Sequence, residues 1–360
     1  MKNNFWILFI LLTVIGCTQE EKSDVWSGKD FTITHEILYP DDFKIGMFRP
    51  ETIYDSTMII KHSGCQNAYS IWSIKDDSLF FRDEFLSRGE GPLEIIIPET
   101  YTDYGQNRLI ISAPHNGEHK TFCIDLSHPE QIANPDYWKP FYWKKQTKSV
   151  SSLCPVDSTT YLVMGPSLEH NMFGLFDMVQ DTLRPLDSPY PSVGKDMNTF
   201  QNFRIFQGTV LRHPDKSKFI YSIGSWGRYS FIFDVNNGII ENTKMLSEEI
   251  PDCGIAQDGL NVSFGKESHR SYKIWAGRRH IYFMYNDFTL DDFIKNKLID
   301  GLPMDYYSKI LVFDWDGQPV KRLLLDIPVF SFGIDRDEKY LYAVTDRIVE
   351  DNETVVRFKL

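Results

Sequence analysis

An excess of basic residues is the first thing this sequence lacks: 38 lysines and arginines stand against 50 aspartates and glutamates, a formal net charge of -12 over 360 residues. A chain of that sign repels phosphate backbones, which disfavours non-specific nucleic-acid binding, and no nucleic-acid partner is expected. Only 5 cysteines are present and none is in a C-x-x-C spacing, so the spaced ligand sets of zinc modules and the dithiols of redox proteins are missing. Beyond the first 22 residues no apolar run reaches membrane-spanning length. Catalytic signatures are missing too. Gly224-Ser225-Trp226-Gly227 departs from a nucleophile elbow, because Ile223 stands where the first glycine belongs. After His35 and Glu36, Tyr39 replaces the second histidine of a zinc-protease helix. The segment from Asp314 to Gly317 is too short for a calcium loop and fits a hairpin turn. No catalytic residue, metal site or cofactor is assigned from the sequence.

What is present begins with an address. Lys2, an apolar stretch over residues 5–12 and the run Val14-Ile15-Gly16 before Cys17 resemble a bacterial lipoprotein signal peptide. The stretch is too short to span a bilayer and reads as a segment removed on export. The resemblance implies a signal peptide over residues 1–16 and lipid attachment at Cys17, in an outer-membrane lipoprotein facing the periplasm or the cell surface. Residues 17–29 are polar and aperiodic, a tether between lipid and domain. Within it, Glu20 and Glu21 are similar to the acidic export tag of surface-exposed lipoproteins. Cys65, Cys123, Cys154 and Cys253 read as buried free thiols, with three disulfide pairings open in an oxidising compartment.

From residue 30 to 360, short runs of Ile, Val, Phe, Tyr and Trp are bounded by Gly, Asp, Asn and Pro, with little helical periodicity. The chain is all-β, and the runs repeat. An apolar strand ends on an acidic residue at Asp125, Asp177, Asp234 and Asp314, with a looser copy ending at Lys75, and a strand-turn-strand unit precedes each. Two hairpins at a period near fifty residues is the pattern of a four-stranded antiparallel blade. Counting them predicts a six-bladed β-propeller as one domain over residues 30–360. Its blades fall near 44–86, 96–133, 147–187, 208–246, 268–326 and 329–360. The sixth has one clear strand after its first hairpin, at 354–360, and residues 31–37 are expected to supply the missing partner. That N-terminal strand would close the ring without an open edge.

Between the first two blades, Ser87-Arg88-Gly89-Glu90-Gly91-Pro92-Leu93-Glu94 resembles the Gly-x-Gly-Pro-x-Glu turn of the TolB-like six-bladed propeller lipoproteins. The resemblance implies that fold and an envelope location for the mature chain, and it carries over no catalytic residue. As a glycine-rich loop the segment does not suit phosphate. Pro92 and the strand-like Ile95-Ile96-Ile97 follow where a helix is needed, and Glu94 occupies the third glycine position. A structural turn is the reading that fits.

In such a blade the A-to-B and C-to-D connections share one face, while the B-to-C connections and the crossovers to the next blade share the other. The first set is mostly short here; the second includes 135–146, 188–207, 247–267 and 287–306, where Leu290, Phe293, Ile294 and Leu298 are spaced for a short helix. Long loops on a rigid scaffold favour recognition. Candidate ligand-binding residues on that face are Arg88, His115, His170, Arg204, Trp226 and Arg228, with Tyr137, Trp138, Tyr142 and Trp143 as an aromatic group in one loop. Rings supply stacking faces and polar groups supply orientation, which suits a glycan or a peptide. The expected function is therefore binding of such a ligand or of an envelope-protein partner through one face. Two alternatives stand beside it: a hydrolase or lyase acting on carbohydrate or a lactone at the central channel, and a structural subunit of an envelope complex.

Overall fold

The computed structural model describes residues 28–40, 48–63, 65–115, 118–143, 150, 152–299, 301–349 and 352–360; Cys17 and the tether up to residue 27 lie outside them. Six antiparallel sheets follow one another along the chain, each running from an inner to an outer strand. Blade 1 consists of Phe48–Tyr54, Thr57–His62, Asn67–Lys75 and Ser78–Ser87. Blade 2 consists of Glu99–Asp103, Arg108–His115, Glu118–Asp125 and Lys139–Trp143. Blade 3 consists of Ser152–Pro155, Thr160–Met164, Gly174–Asp177 and Thr182–Pro185, and blade 4 of Gly208–Arg212, Lys218–Ile223, Arg228–Asn236 and Ile239–Glu249. Blade 5 consists of Lys273–Ala276, His280–Tyr285, Tyr307–Asp314 and Pro319–Val329. Blade 6 consists of Ser331–Ile334, Tyr340–Val349 and Asn352–Lys359, with His35–Ile37 as its outer strand.

The apolar runs are continuous because both faces of each blade are buried against neighbours, and alternation along a strand divides its residues between them. Ile59 packs with Phe122 and Leu109 of blade 2, whereas Met58 and Ile60 pack with Tyr342 and Val344 of blade 6. Ile111 joins the core between blades 1 and 2, and Ile110 the core between blades 2 and 3. The same division places Phe219 and Tyr221 between blades 3 and 4, and Ile220 between blades 4 and 5. Tyr282 and Met284 meet Leu341 and Ala343 between blades 5 and 6. One apolar core thus lies between each pair of neighbouring blades, including the last and the first, which is what makes the arrangement a closed ring. Tight turns keep the hairpins in register: Asn237 and Gly238 take φ of 50 and 74°, the left-handed pair that a two-residue turn of this kind demands.

The N-terminal segment does more than complete one blade. Asp30–Ile33 adds in parallel to the outer strand of blade 5, His35–Ile37 pairs antiparallel with Asn352–Lys359, and Tyr39–Pro40 adds in parallel to the outer strand of blade 1. The expectation that residues 31–37 form a single closing strand is corrected accordingly: only His35–Ile37 fills that place, and Phe31 to Ile33 lie on the neighbouring blade. Between these strands Leu38 is fully buried in the core shared by blades 6 and 1.

Two further readings change. Blade 2 extends past residue 133, because its outer strand is Lys139–Trp143, after a connection carrying the short 3-10 turns Pro129–Gln131 and Pro135–Tyr137. The proposed aromatic loop is therefore split: Trp138 is buried against Phe85 and Phe122, and Tyr142 and Trp143 belong to a strand. The long crossovers do carry structure of their own. Helix α1 (Thr199–Phe206) and the hairpin of Cys253–Ile255 with Val262–Phe264 lie in two of them, and helix α2 (Leu290–Ile294), capped by Thr289, lies in the insertion of blade 5. Cys65, Cys123, Cys154 and Cys253 are free thiols; Cys154 and Cys253 are buried as expected, whereas Cys65 and Cys123 are only half-buried. Among the described residues no helix is long and apolar enough to cross a membrane.

Candidate functional site

The inner strands of a propeller surround a central channel, and here that channel holds a cavity of about 590 Å³. Its upper lining comes from residues where the inner strands begin, Arg49, Thr100, Thr209, Lys273 and Ser331, together with Arg270 just before the strand of blade 5. Ser225 and Trp226 of the B-to-C loop of blade 4, and Met304 of the insertion in blade 5, also line it. The cavity thus opens towards the face with the long loops. At the other end stand Tyr104, His213, Pro214 and Ala276, where the inner strands turn. There the backbone of Gly105 lies against the carbonyl of Pro214, so the turns of blades 2 and 4 meet. Tyr101 reaches from blade 2 to blade 4, its hydroxyl accepting from the Arg212 amide at 3.1 Å. It screens blade 3, and among the described residues none of Ser152–Pro155 lines the cavity.

The charges of this lining oppose those of the whole chain. Arg49, Arg212, Arg270 and Lys273 face the carboxylates of Glu51 and Asp103. Asp103 is held by Arg108 at 3.0 Å from outside the cavity, whereas Glu51 lies 3.9 Å from Lys61 and also feels the charge of Arg49 within the lining. Tyr307 carries two cations on its ring, Lys273 Nζ at 4.6 Å and the Arg270 guanidinium carbon at 5.4 Å from the centroid. Lys273 donates to the carbonyl of Phe330 at 2.6 Å, and Arg270 donates to the carbonyl of Met304 at 2.6 Å and to Asp305 at 3.0 Å. Burial, reinforced by the charges of Arg49 and Arg270, brings the Lys273 ammonium down to about 7. Burial raises the Tyr307 phenol to about 12, and its hydroxyl is buried without a hydrogen-bond partner. Arg49 makes no hydrogen bond or ion pair among the described residues. At the closed end, burial lowers the His213 imidazole to about 4, so it is neutral at pH 7 and Nδ1 accepts from the Asp215 amide.

The residues singled out from the sequence divide between this mouth and the scaffold around it. Trp226 lines the cavity and packs against Phe293 of α2, with ring centroids 6.2 Å apart. Arg204, exposed on the last turn of α1, lines a groove that shares Thr209, Gly224 and Ser225 with the cavity. Arg88 instead ties loops together, donating to the carbonyls of Cys65, Ile96 and His62. Arg228 is likewise committed, to the Asn286 carbonyl at 2.6 Å and, less closely, to Asp287 at 3.6 Å, over the rings of Tyr272 and Tyr285. His170 is exposed in the B-to-C loop of blade 3 and does not line the cavity. His115 ends a strand, and its side chain lies outside the described residues. The glycine-rich segment is a structural turn: the Glu94 carboxylate accepts from the Gly91 amide at 2.8 Å, and buried Lys120 donates to the Gly91 and Glu94 carbonyls. Arg49, Arg270, Lys273 and Tyr307 were not found from sequence. For Arg49 and Lys273 the one local signal is a charge at the start of an inner strand, beside Pro50 and Tyr272; Arg270 and Tyr307 carry none.

No protein-family model matches this chain, and comparison with curated protein sequences finds no relative. Solved structures with a similar fold do exist. A gluconolactonase from Xanthomonas campestris is 10% identical, covering 87% of this chain and 86% of its own, with a TM-score of 0.47. A putative exported protein from Bacteroides fragilis is 13% identical over 91% of this chain and 98% of its own, with a TM-score of 0.44. TolB from Acinetobacter baumannii is 12% identical over 84% of this chain and 62% of its own, with a TM-score of 0.40. At such scores the propeller assignment rests on the strand pairing and the six inter-blade cores, not on these likenesses. Among the described residues no group of three or more His, Cys, Asp or Glu is placed to share a metal ion.

Proposed function

We propose that this protein is an envelope propeller, anchored by lipid at Cys17, that binds a small glycan or a peptide end in the channel mouth on its long-loop face. The observation that carries this reading is the cavity of about 590 Å³, which is of the size that encloses small ligands and is lined by the hydroxyls of Thr100, Thr209 and Ser225 beside Trp226. The surrounding loops also expose Ile97, Leu260 and Leu298, apolar side chains suited to the rest of a larger ligand. Thr209→Trp, which fills the mouth, tests the site by calorimetry against a panel of sugars and short peptides. Retained binding in that variant would place the ligand elsewhere. Labelling with radioactive palmitate in wild type and not in Cys17→Ser tests the anchor.

A catalytic reading has one observation in its favour. Glu51 and Glu99, on neighbouring inner strands, both have raised carboxyls, and Lys61 opposes the shift in both. Burial raises the Glu99 carboxyl to about 7, the range in which a carboxylic acid can donate a proton at neutral pH. Glu99 is nevertheless exposed and stands beside the cavity-lining Thr100 without lining the cavity itself. A glycoside or lactone hydrolysis that is abolished in Glu99→Gln with binding retained would establish this alternative.

A further inference from the structure

We infer that the channel mouth receives an acidic sugar, a hexose unit bearing a carboxylate or a sulfate, whose anionic group is held by Arg49 and Lys273. The inference rests on the reading of the channel as the ligand site and goes further by naming the chemistry of the ligand.

The argument begins with sign. A chain with a formal net charge of -12 has four basic residues facing two acidic ones in this cavity. Asp103 is paired with Arg108, Glu51, whose carboxyl burial raises, is shared between Lys61 and Arg49, and Arg270 has Asp305 outside the cavity lining. Cations gathered in a partly buried site repel one another, and such an arrangement is stabilised by an anion that joins them. Arg49 has five donors and makes no hydrogen bond among the described residues; its charge acts on the Glu51 carboxyl, two residues further along the same strand. Lys273 has three donors and spends one, on the Phe330 carbonyl, while its ammonium lies over the Tyr307 ring. Burial is the main cause of the depressed Lys273 ammonium, and the repulsion of Arg49 and Arg270 adds to it; an oxyanion between them would relieve that repulsion.

A second observation points to a ligand independently. The Tyr307 side chain is 1% exposed, lines the cavity, and leaves its hydroxyl without a partner. A buried hydroxyl of this kind costs stability unless something occupies it. The neighbouring groups then favour a sugar over a bare ion. Thr100, Thr209, Ser225 and Ser271 present hydroxyls, and Trp226 offers a ring against which the apolar face of a pyranose can lie.

Calorimetry with galacturonate, a sulfated galactose, galactose and inorganic sulfate tests the inference on the full-length domain. Expected is binding of at least one acidic sugar roughly tenfold or more tighter than galactose, with a loss of roughly tenfold in Arg49→Gln and in Lys273→Met and recovery in Arg49→Lys. Preference between galacturonate and the sulfated sugar identifies the anionic group. Galactose binding as tightly as the acids, with that binding lost in Thr209→Trp, overturns the acidic assignment and leaves the channel site standing. Acidic sugars that bind unchanged in Thr209→Trp overturn both. Inorganic sulfate binding as tightly as the sulfated sugar overturns the sugar component, and failure of all four probes overturns the whole inference. Arg49 is exposed and makes no hydrogen bond among the described residues, so its variants keep the fold, which thermal unfolding checks.

Discussion

The carboxylate of Glu338 lies 2.8 Å from Nδ1 of His280, joining the inner turn of blade 6 to the second strand of blade 5. The same carboxylate accepts from the Arg279 amide at 2.5 Å and from the Tyr282 hydroxyl at 3.1 Å, and its side chain is 1% exposed. Burial pushes this carboxyl up, yet the hydrogen bonds from His280, Arg279 and Tyr282 outweigh it and hold it below its ordinary value.

Glu338→Gln is therefore expected to cost about 1–3 kcal/mol at neutral pH. Because the folded carboxyl is lowered, the unfolded chain binds the proton more readily. The stabilisation is present above the ordinary carboxylate range and is lost as pH falls through the folded value. Urea titrations across acid pH should show wild type losing more stability than the variant; parallel losses would remove Glu338 from the joint.

The N-terminal strap makes a contrasting prediction. Arg322 holds Asp30 by two hydrogen bonds of 2.8 Å, but such partly exposed pairs contribute about 0–1 kcal/mol. Leu38, fully buried between blades 6 and 1, is expected to cost about 2–5 kcal/mol as Leu38→Ala. Denaturant midpoints should fall in that order, and a larger effect from Asp30→Ala would mean that ion pairs and not burial hold the strap.

At the closed end of the channel, a methyl group on Gly105 would collide with the carbonyl oxygen of Pro214, backbone that cannot swing aside. Gly105→Ala should destabilise by about 1–3 kcal/mol through this overpacking. Thermal unfolding indistinguishable from wild type would show that the turns of blades 2 and 4 are free to part.

Lys273 makes stability depend on alkaline pH. Its folded value is lowered to about 7, against roughly 10.4 for an unperturbed lysine, by burial and by Arg49 and Arg270, with Asp305 opposing and Tyr307 packed against it. Between those values the unfolded chain binds more protons, so this residue's penalty is complete below pH 7 and fades as pH rises. Lys273→Met should stabilise the free protein by about 1 kcal/mol or more near pH 6 and by less near pH 9. A gain that does not shrink with pH would show that the ammonium is not the cause.

Much of the fold was legible because its turns are local. The aspartates at 125, 177, 234 and 314 follow short apolar runs such as Phe231-Ile232-Phe233 and Ile310-Leu311-Val312-Phe313, and a blade buried on both faces favours such runs. The outer strand of blade 2 was missed for the complementary reason. Lys139–Trp143 contains Pro140, lies at a sheet edge and follows an irregular connection, so neither alternation nor a tight turn announces it. The strap was seen only in part, since nothing local distinguishes Phe31, which pairs with Leu323, from His35, which pairs with Phe358.

The site itself was mostly illegible. Trp226 and Arg204 could be chosen from their place in long loops, but so were Arg88 and Arg228, which the structure commits to backbone carbonyls. What the sequence by itself determined was the repeat, the turn chemistry and the segregation of long loops to one face, all properties of residues near one another along the chain. Only the tertiary structure decided which charges share a cavity. Arg49 and Lys273 stand on blades 1 and 5, and a closed ring brings the starts of its inner strands together however far apart they lie in sequence.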